Sequence, residues 1–203
     1  GLSIYAAIPI GILSAIIIGI LIDVVIIRRA KGVSPVGKQI ITLGIMNIIL
    51  GLAPVLFGVY DLQLPKIIPD GGITLAGASI TYNSLFNILF GLVIMALLFI
   101  LLNRTKFGLA IRTTASNETT ARMMGVPTKT VTMVAWAIAG VLSMLAGVMT
   151  APFSAVSTVF MNDVQINAFM ASVFGGFSTF HGPVVGAYIL SVATTLLQVY
   201  LPE

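Results

Sequence analysis

IYAAIPIGILSAIIIGILIDVVII, residues Ile4 to Ile27, is followed at once by Arg28-Arg29-Ala30-Lys31. As a helix rising 1.5 Å per residue the run would be about 36 Å long, enough to cross a hydrocarbon core of roughly 30 Å. Its one charged residue is Asp23, near the basic end. The stretch is therefore a membrane span, A, and the basic residues after it set its direction.

Nine of the ten Lys and Arg residues fall in two polar gaps. Arg28, Arg29, Lys31 and Lys38 lie in the first, and Arg104, Lys106, Arg112, Arg122 and Lys129 in the second; only Lys66 stands elsewhere. This is the positive-inside pattern, which makes both gaps cytoplasmic and Asp61–Tyr82 external. With 58% apolar and 8% charged residues the chain has too little polar surface to coat a water-soluble body. The net charge of +4 flanks spans without aromatic interleaving, which favours lipid headgroups over nucleic acid as its partner. Absence of Cys excludes disulfides, thiolate metal sites and thiol catalysis.

Outward from span A, further apolar runs form span B (Ile40–Tyr60), C (Ser84–Leu102) and D (Val131–Thr150). Asn167–Phe174 is shorter and is interrupted by Gly175, Gly176, Ser178, Thr179, His181, Gly182 and Pro183 before Val184–Leu201. We read a short or broken span E, with a re-entrant half-helix as its competitor, and a full span F whose orientation no basic residue fixes. The expected fold is an all-α, polytopic transmembrane helical bundle of about six membrane segments, in one domain over 1–203. No basic segment precedes span A, so it is not a signal peptide, and the chain reads as a fragment incomplete at both ends.

Small residues let helices approach closely in lipid. Ala7, Gly11, Ala15 and Gly19 recur on one face of span A, and Ala135, Ala139, Ser143, Gly147 and Ala151 on one face of span D. Both stripes are expected to be packing seams. Asp23 continues the first stripe, where it either offsets Arg28 and Arg29 at the interface or serves transport.

Three motifs invite functional readings. Gly32-Val-Ser-Pro-Val-Gly37-Lys38 has P-loop spacing, yet it follows a span instead of a strand, and Gln39 stands where Ser or Thr would bind magnesium. His181 is the single histidine, without a neighbouring carboxylate, and is expected to cap an interfacial turn. Asn117-Glu118-Thr119 spells a glycosylation sequon within a cytoplasmic gap, where it stays unmodified.

The gap 103–130 is more informative. Lys106–Ala115 can form a short helix, Asn117 can cap a second, and Glu118 and Arg122 make an i,i+4 pair. Gly125 supplies a left-handed terminus and Pro127 prevents continuation. Met123 and Met124 then need an apolar cover, either the protein's own spans and the headgroups or a soluble partner.

The run Gly108-Leu-Ala-Ile-Arg112, with Ala121-Arg122-Met123-Met124-Gly125-Val126 at fixed spacing after it, resembles the cytoplasmic coupling loop of permeases of branched-chain amino acid ABC importers. Thr42-Leu-Gly44, Phe174-Gly-Gly-Phe and Gly182-Pro-Val-Val-Gly186 extend the likeness, which is nearest the LivH type; Thr113 stands where that family usually has Ala. The resemblance implies a multi-pass permease of the cytoplasmic (inner) membrane that moves branched-chain or related amino acids. It implies as partners a second permease subunit, two cytoplasmic ATPase subunits and an external substrate-binding protein. No catalytic, metal or cofactor site is expected in this chain, since ATP would be bound by the ATPases. Gly108, Arg112, Glu118, Ala121, Arg122, Met123, Met124 and Gly125 would form the ATPase-coupling surface, over a loop spanning 103–130.

The external segment 61–82 carries Pro65, Pro69 and the turn signal Asp70-Gly71-Gly72, which predicts a small hairpin that either meets the binding protein or merely connects. An ion-coupled secondary transporter or channel is the alternative function, but it would place ionisable residues in mid-membrane, where these spans have none. A membrane enzyme would need clustered catalytic side chains, and one His with six scattered carboxylates supplies no such cluster.

Overall fold

Span A folds as α1 (Ile4–Leu21) and continues directly into a π turn (Ile22–Ile27) in the computed structural model, which describes residues 4–30, 33, 35–63, 71–75, 78–176 and 181–200. There follow α2 (Pro35–Phe57), β1 (Gly72–Leu75), β2 (Ala78–Thr81), α3 (Tyr82–Arg104), α4 (Lys106–Ser116), α5 (Glu118–Met123) and α6 (Thr128–Thr150). A 3₁₀ turn (Ala151–Phe153), α7 (Asn162–Gly175) and α8 (Gly182–Tyr200) complete the order. Among the described residues five helical segments are long and apolar enough to cross a membrane: Ala7–Ile27, Ile40–Phe57, Tyr82–Arg104, Thr128–Phe153 and Gly182–Tyr200. At 14 residues α7 spans only about 21 Å, so it is the short segment expected between spans D and F. The protein is an all-α, polytopic integral membrane protein.

The chain divides into two compact units. Gly1–Leu52 with Gln63–Ser154 form the first, and Ala53–Leu62 with Ala155–Glu203 the second. In the first, α1 lies against α6 so closely that a Cβ on Gly19 would come 2.6 Å from the Trp136 carbonyl oxygen. One on Gly140 would come 2.6 Å from that of Ala15. Both obstacles are backbone, so only the bare glycine Cα allows this approach. In the second unit α7 packs beside α8, where Gly186 faces the Ala171 carbonyl and Ala171 is 2% exposed. There Leu62 and Val156 also exchange two backbone hydrogen bonds, of 3.1 and 2.8 Å.

Large apolar side chains remain on the outer faces, Leu97 at 62% and Val55 at 79% exposed. Such faces suit a bilayer, whose acyl chains are as apolar as they are, so little hydrophobic force would drive them inward.

The hairpin between α2 and α3 differs from its expected form. β1 and β2 pair antiparallel with Gly72 opposite Thr81 and Leu75 opposite Ala78, so the chain reverses after Leu75 and not at the Asp70-Gly71-Gly72 signal. Gly72 opens the first strand, where a Cβ would come 2.8 Å from the Ile80 carbonyl oxygen, so this glycine serves close cross-strand approach. Pro65, Pro69 and Asp70 lie outside the described residues.

Candidate functional site

The polar gap after α3 folds into two short helices, and each junction has an identifiable cause. Thr105 is extended (φ −111°, ψ 153°), and its hydroxyl accepts the Gly108 N–H at 3.0 Å while donating to the Leu101 carbonyl. That caps α4 and turns it back onto α3. Gly108 meets the Leu101 and Leu102 backbone there, with no room for a side chain. Thr114 is buried, and exposed Arg112 extends toward the Asn103 amide oxygen at 3.4 Å.

Asn117 then caps α5, its side-chain oxygen accepting the Thr120 N–H at 3.0 Å. Glu118 and Arg122 pair at 2.8 Å, but both are well exposed, so the pair adds only a few tenths of a kcal/mol. Ala121, 1% exposed, anchors the helix on its inner side. The C-terminus is a Schellman arrangement: the Val126 N–H donates to Ala121 and the Gly125 N–H to Arg122, with Gly125 at φ +83°. Gly125→Ala is expected to cost about 1 kcal/mol. It should read as a lower thermal midpoint of detergent-purified protein, with Gly125→Asn recovering part of the loss.

This geometry resolves where the loop's apolar residues go. Gly108, Thr114, Ala121, Thr128 and Val131 are buried within the first unit, whereas Met123 and Met124 remain 83% and 66% exposed at the end of α5. A firmly capped helix thus presents two flexible, polarisable thioether side chains that the described residues leave largely uncovered.

The expected packing residues are only partly brought together. Gly11, Ala15 and Gly19 of α1 all meet α6, but on α6 the contact runs through Trp136, Ala137, Gly140 and Met144. Ala139 and Ser143 are exposed and line a shallow groove beside that contact, and Gly147 is half-buried farther along. The stripe read from sequence has the right four-residue period, but the observed contact is one residue on. The bulkier Trp136 and Met144 bracket Gly140, where α1 comes nearest.

Asp23 is fully buried in the π turn, and its Oδ2 accepts from Arg28 Nε at 2.9 Å. Arg28 also donates through Nη2 to the Lys129 carbonyl at 2.9 Å. Asp23 thus pairs with Arg28, as the charge-offsetting reading expects, but as a fully buried carboxylate. Sequence reasoning missed two asparagines on α3. Asn83 is 2% exposed and its side chain has no hydrogen-bond partner among the described residues, and Asn87 donates to the Met149 carbonyl at 3.0 Å. Their i,i+4 spacing in an apolar run was the available signal.

In the nucleotide motif Gly37 and Lys38 lie in the first turn of α2, and the element before it is the helical end of span A where a P-loop has a strand; Gly32 and Ser34 are outside the described residues. His181 is exposed just before α8, and its carbonyl accepts the Val185 N–H at 3.1 Å, a helix-start role. Among the described residues no cluster of His, Cys, Asp or Glu could hold a metal.

A family model described as branched-chain amino acid transport system / permease component matches residues 1–203. The chain is also similar to "Probable branched-chain amino acid transport permease protein LivH" of Methanocaldococcus jannaschii, with 26% identity over 211 residues. That match covers 99% of this chain, which spans 65% of the relative's length. No solved structure matches.

Proposed function

The chain belongs to the branched-chain amino acid transport permease family, and from that premise we propose that it forms part of the membrane pathway of an ABC importer for branched-chain or related amino acids. It sits in the cytoplasmic membrane, pairs with a second permease subunit, receives substrate from an external binding protein and is driven by two cytoplasmic ATPases. It hydrolyses nothing itself. The observation that most supports this reading is the α4–α5 pair, packed on its own spans on one side and presenting Met123 and Met124 on the other. Gly108 and Ala121 hold the pair against the spans, the Asn117 cap and Gly125 hold its shape beside the weak Glu118–Arg122 pair, and the two methionines enter an apolar groove on an ATPase.

An ion-coupled carrier has less to work with. Asp23, the one carboxylate in a span, is engaged by Arg28 at the basic end.

The direct test is uptake of labelled leucine into proteoliposomes holding the full complex. Uptake should require the binding protein and ATP, and uptake that persists without the ATPase subunits would overturn the proposal. Identifying the amino acid that co-purifies with the binding protein would define the substrate. Sidedness is checked separately in the Cys-free chain. Gln63→Cys should react with an impermeant thiol reagent added to intact cells and Ser116→Cys should not; external labelling of Ser116→Cys would reverse the orientation.

A further inference from the structure

In an α-helix a side chain meets those three and four positions away, so Asp23 and Arg28, five apart, would point about 140° away from each other. Here they are in contact at 2.9 Å because the helix widens into a π turn at this point, with the Arg28 N–H donating to the Asp23 carbonyl at 2.9 Å. The same guanidinium crosses to α6 and donates to the carbonyl of Lys129, 101 positions along the chain, in the first turn after the α4–α5 loop. A single side chain therefore joins the irregular end of α1 to the point where that loop enters α6. π turns are rare in helices and recur at functional sites, and this one has a ready alternative, since restoring α geometry would rotate one side of the turn by about 100° relative to the other.

We propose that Asp23, Arg28 and the Lys129 carbonyl form a latch through which displacement of the α4–α5 loop is passed to α1. The inference rests on the coupling role proposed for that loop. Elsewhere the described contact of α1 with α6 runs through Gly11, Ala15 and Gly19 against Trp136, Ala137, Gly140 and Met144, a close packing contact and not a charged one. Through the latch, a shift of Lys129 pulls on Arg28, Arg28 draws on the buried carboxylate, and the π turn tightens or relaxes. Asp23 and Arg28 are positioning residues in this scheme, since they touch no substrate.

Removing one partner would strand a buried charge, whereas replacing both with apolar residues commonly leaves a protein folded. The test variant is accordingly Asp23→Leu with Arg28→Leu, assembled with its partner subunits in proteoliposomes, and the quantity read is substrate moved per ATP hydrolysed. We expect hydrolysis to continue and that ratio to fall about tenfold, in the usual range of coupling between sites. Arg28→Lys, whose compact ammonium cannot span Asp23 and the Lys129 carbonyl in one fork, should give an intermediate ratio. If the double variant fails to assemble, Arg28→Lys decides alone. A wild-type ratio in the assembled variant overturns the latch, while a wild-type complex whose uptake ignores ATP overturns the proposed function instead.

Discussion

Replacing both exposed methionines, Met123→Asp with Met124→Asp, is expected to abolish ATP-dependent uptake while the permease stays in the membrane at normal abundance. The side chains are 83% and 66% exposed at the end of a capped helix, so the packing of the described residues does not depend on their burial. A carboxylate carried into an apolar groove on a partner would have to shed its water without a compensating charge, a cost of several kcal/mol that docking cannot absorb. Negative charge at a helix C-terminus also opposes the helix dipole, by about 0.3–1 kcal/mol per residue. The matched double Lys variant removes that complication, because its charge favours the same helix end, and it should be equally inactive. A Cys at Met124 should crosslink to the ATPase subunit. Normal transport by either double variant would remove the docking role.

Gly140→Val should lower membrane abundance several-fold, the second large effect. A Cβ at this position would come 2.6 Å from the Ala15 carbonyl oxygen, so the two helices must separate along their closest contact. Overpacking of this kind costs about 1–3 kcal/mol, and a loss of that size changes cellular abundance several-fold. Gly91→Val is the control. Gly91 is also in a membrane-spanning helix, but among the described residues nothing lies within 4 Å of the added carbon, and the variant's abundance should stay at the wild-type level. Equal abundance of the two variants would mean that α1 and α6 do not pack through these glycines in the membrane.

Much of the loop at 103–130 was legible from residue types because its devices are local. Asn117 as a cap, Glu118 with Arg122, and Gly125 at a left-handed terminus act within a turn or two, and a short window of sequence contains both partners. The Thr105 cap was equally local, standing directly before Lys106, and went unread. The hairpin reversal was misplaced for a different reason. A glycine pair signals either a turn or a close strand contact, and only the pairing of Gly72 with Thr81 separates the two.

By itself the sequence determined that this is a membrane protein, where its spans lie and how the loop helices begin and end. Those properties follow from transfer free energy summed along the chain and from hydrogen bonds a few residues long. Only the tertiary structure decided which face of α6 meets α1, because the four-residue period of small side chains states a spacing and not which neighbouring row faces the partner helix. It alone decided that span A ends in a π turn and that Arg28 reaches Lys129, 101 positions away. That link depends on two helices lying side by side, and the pattern of residues along either one does not contain it.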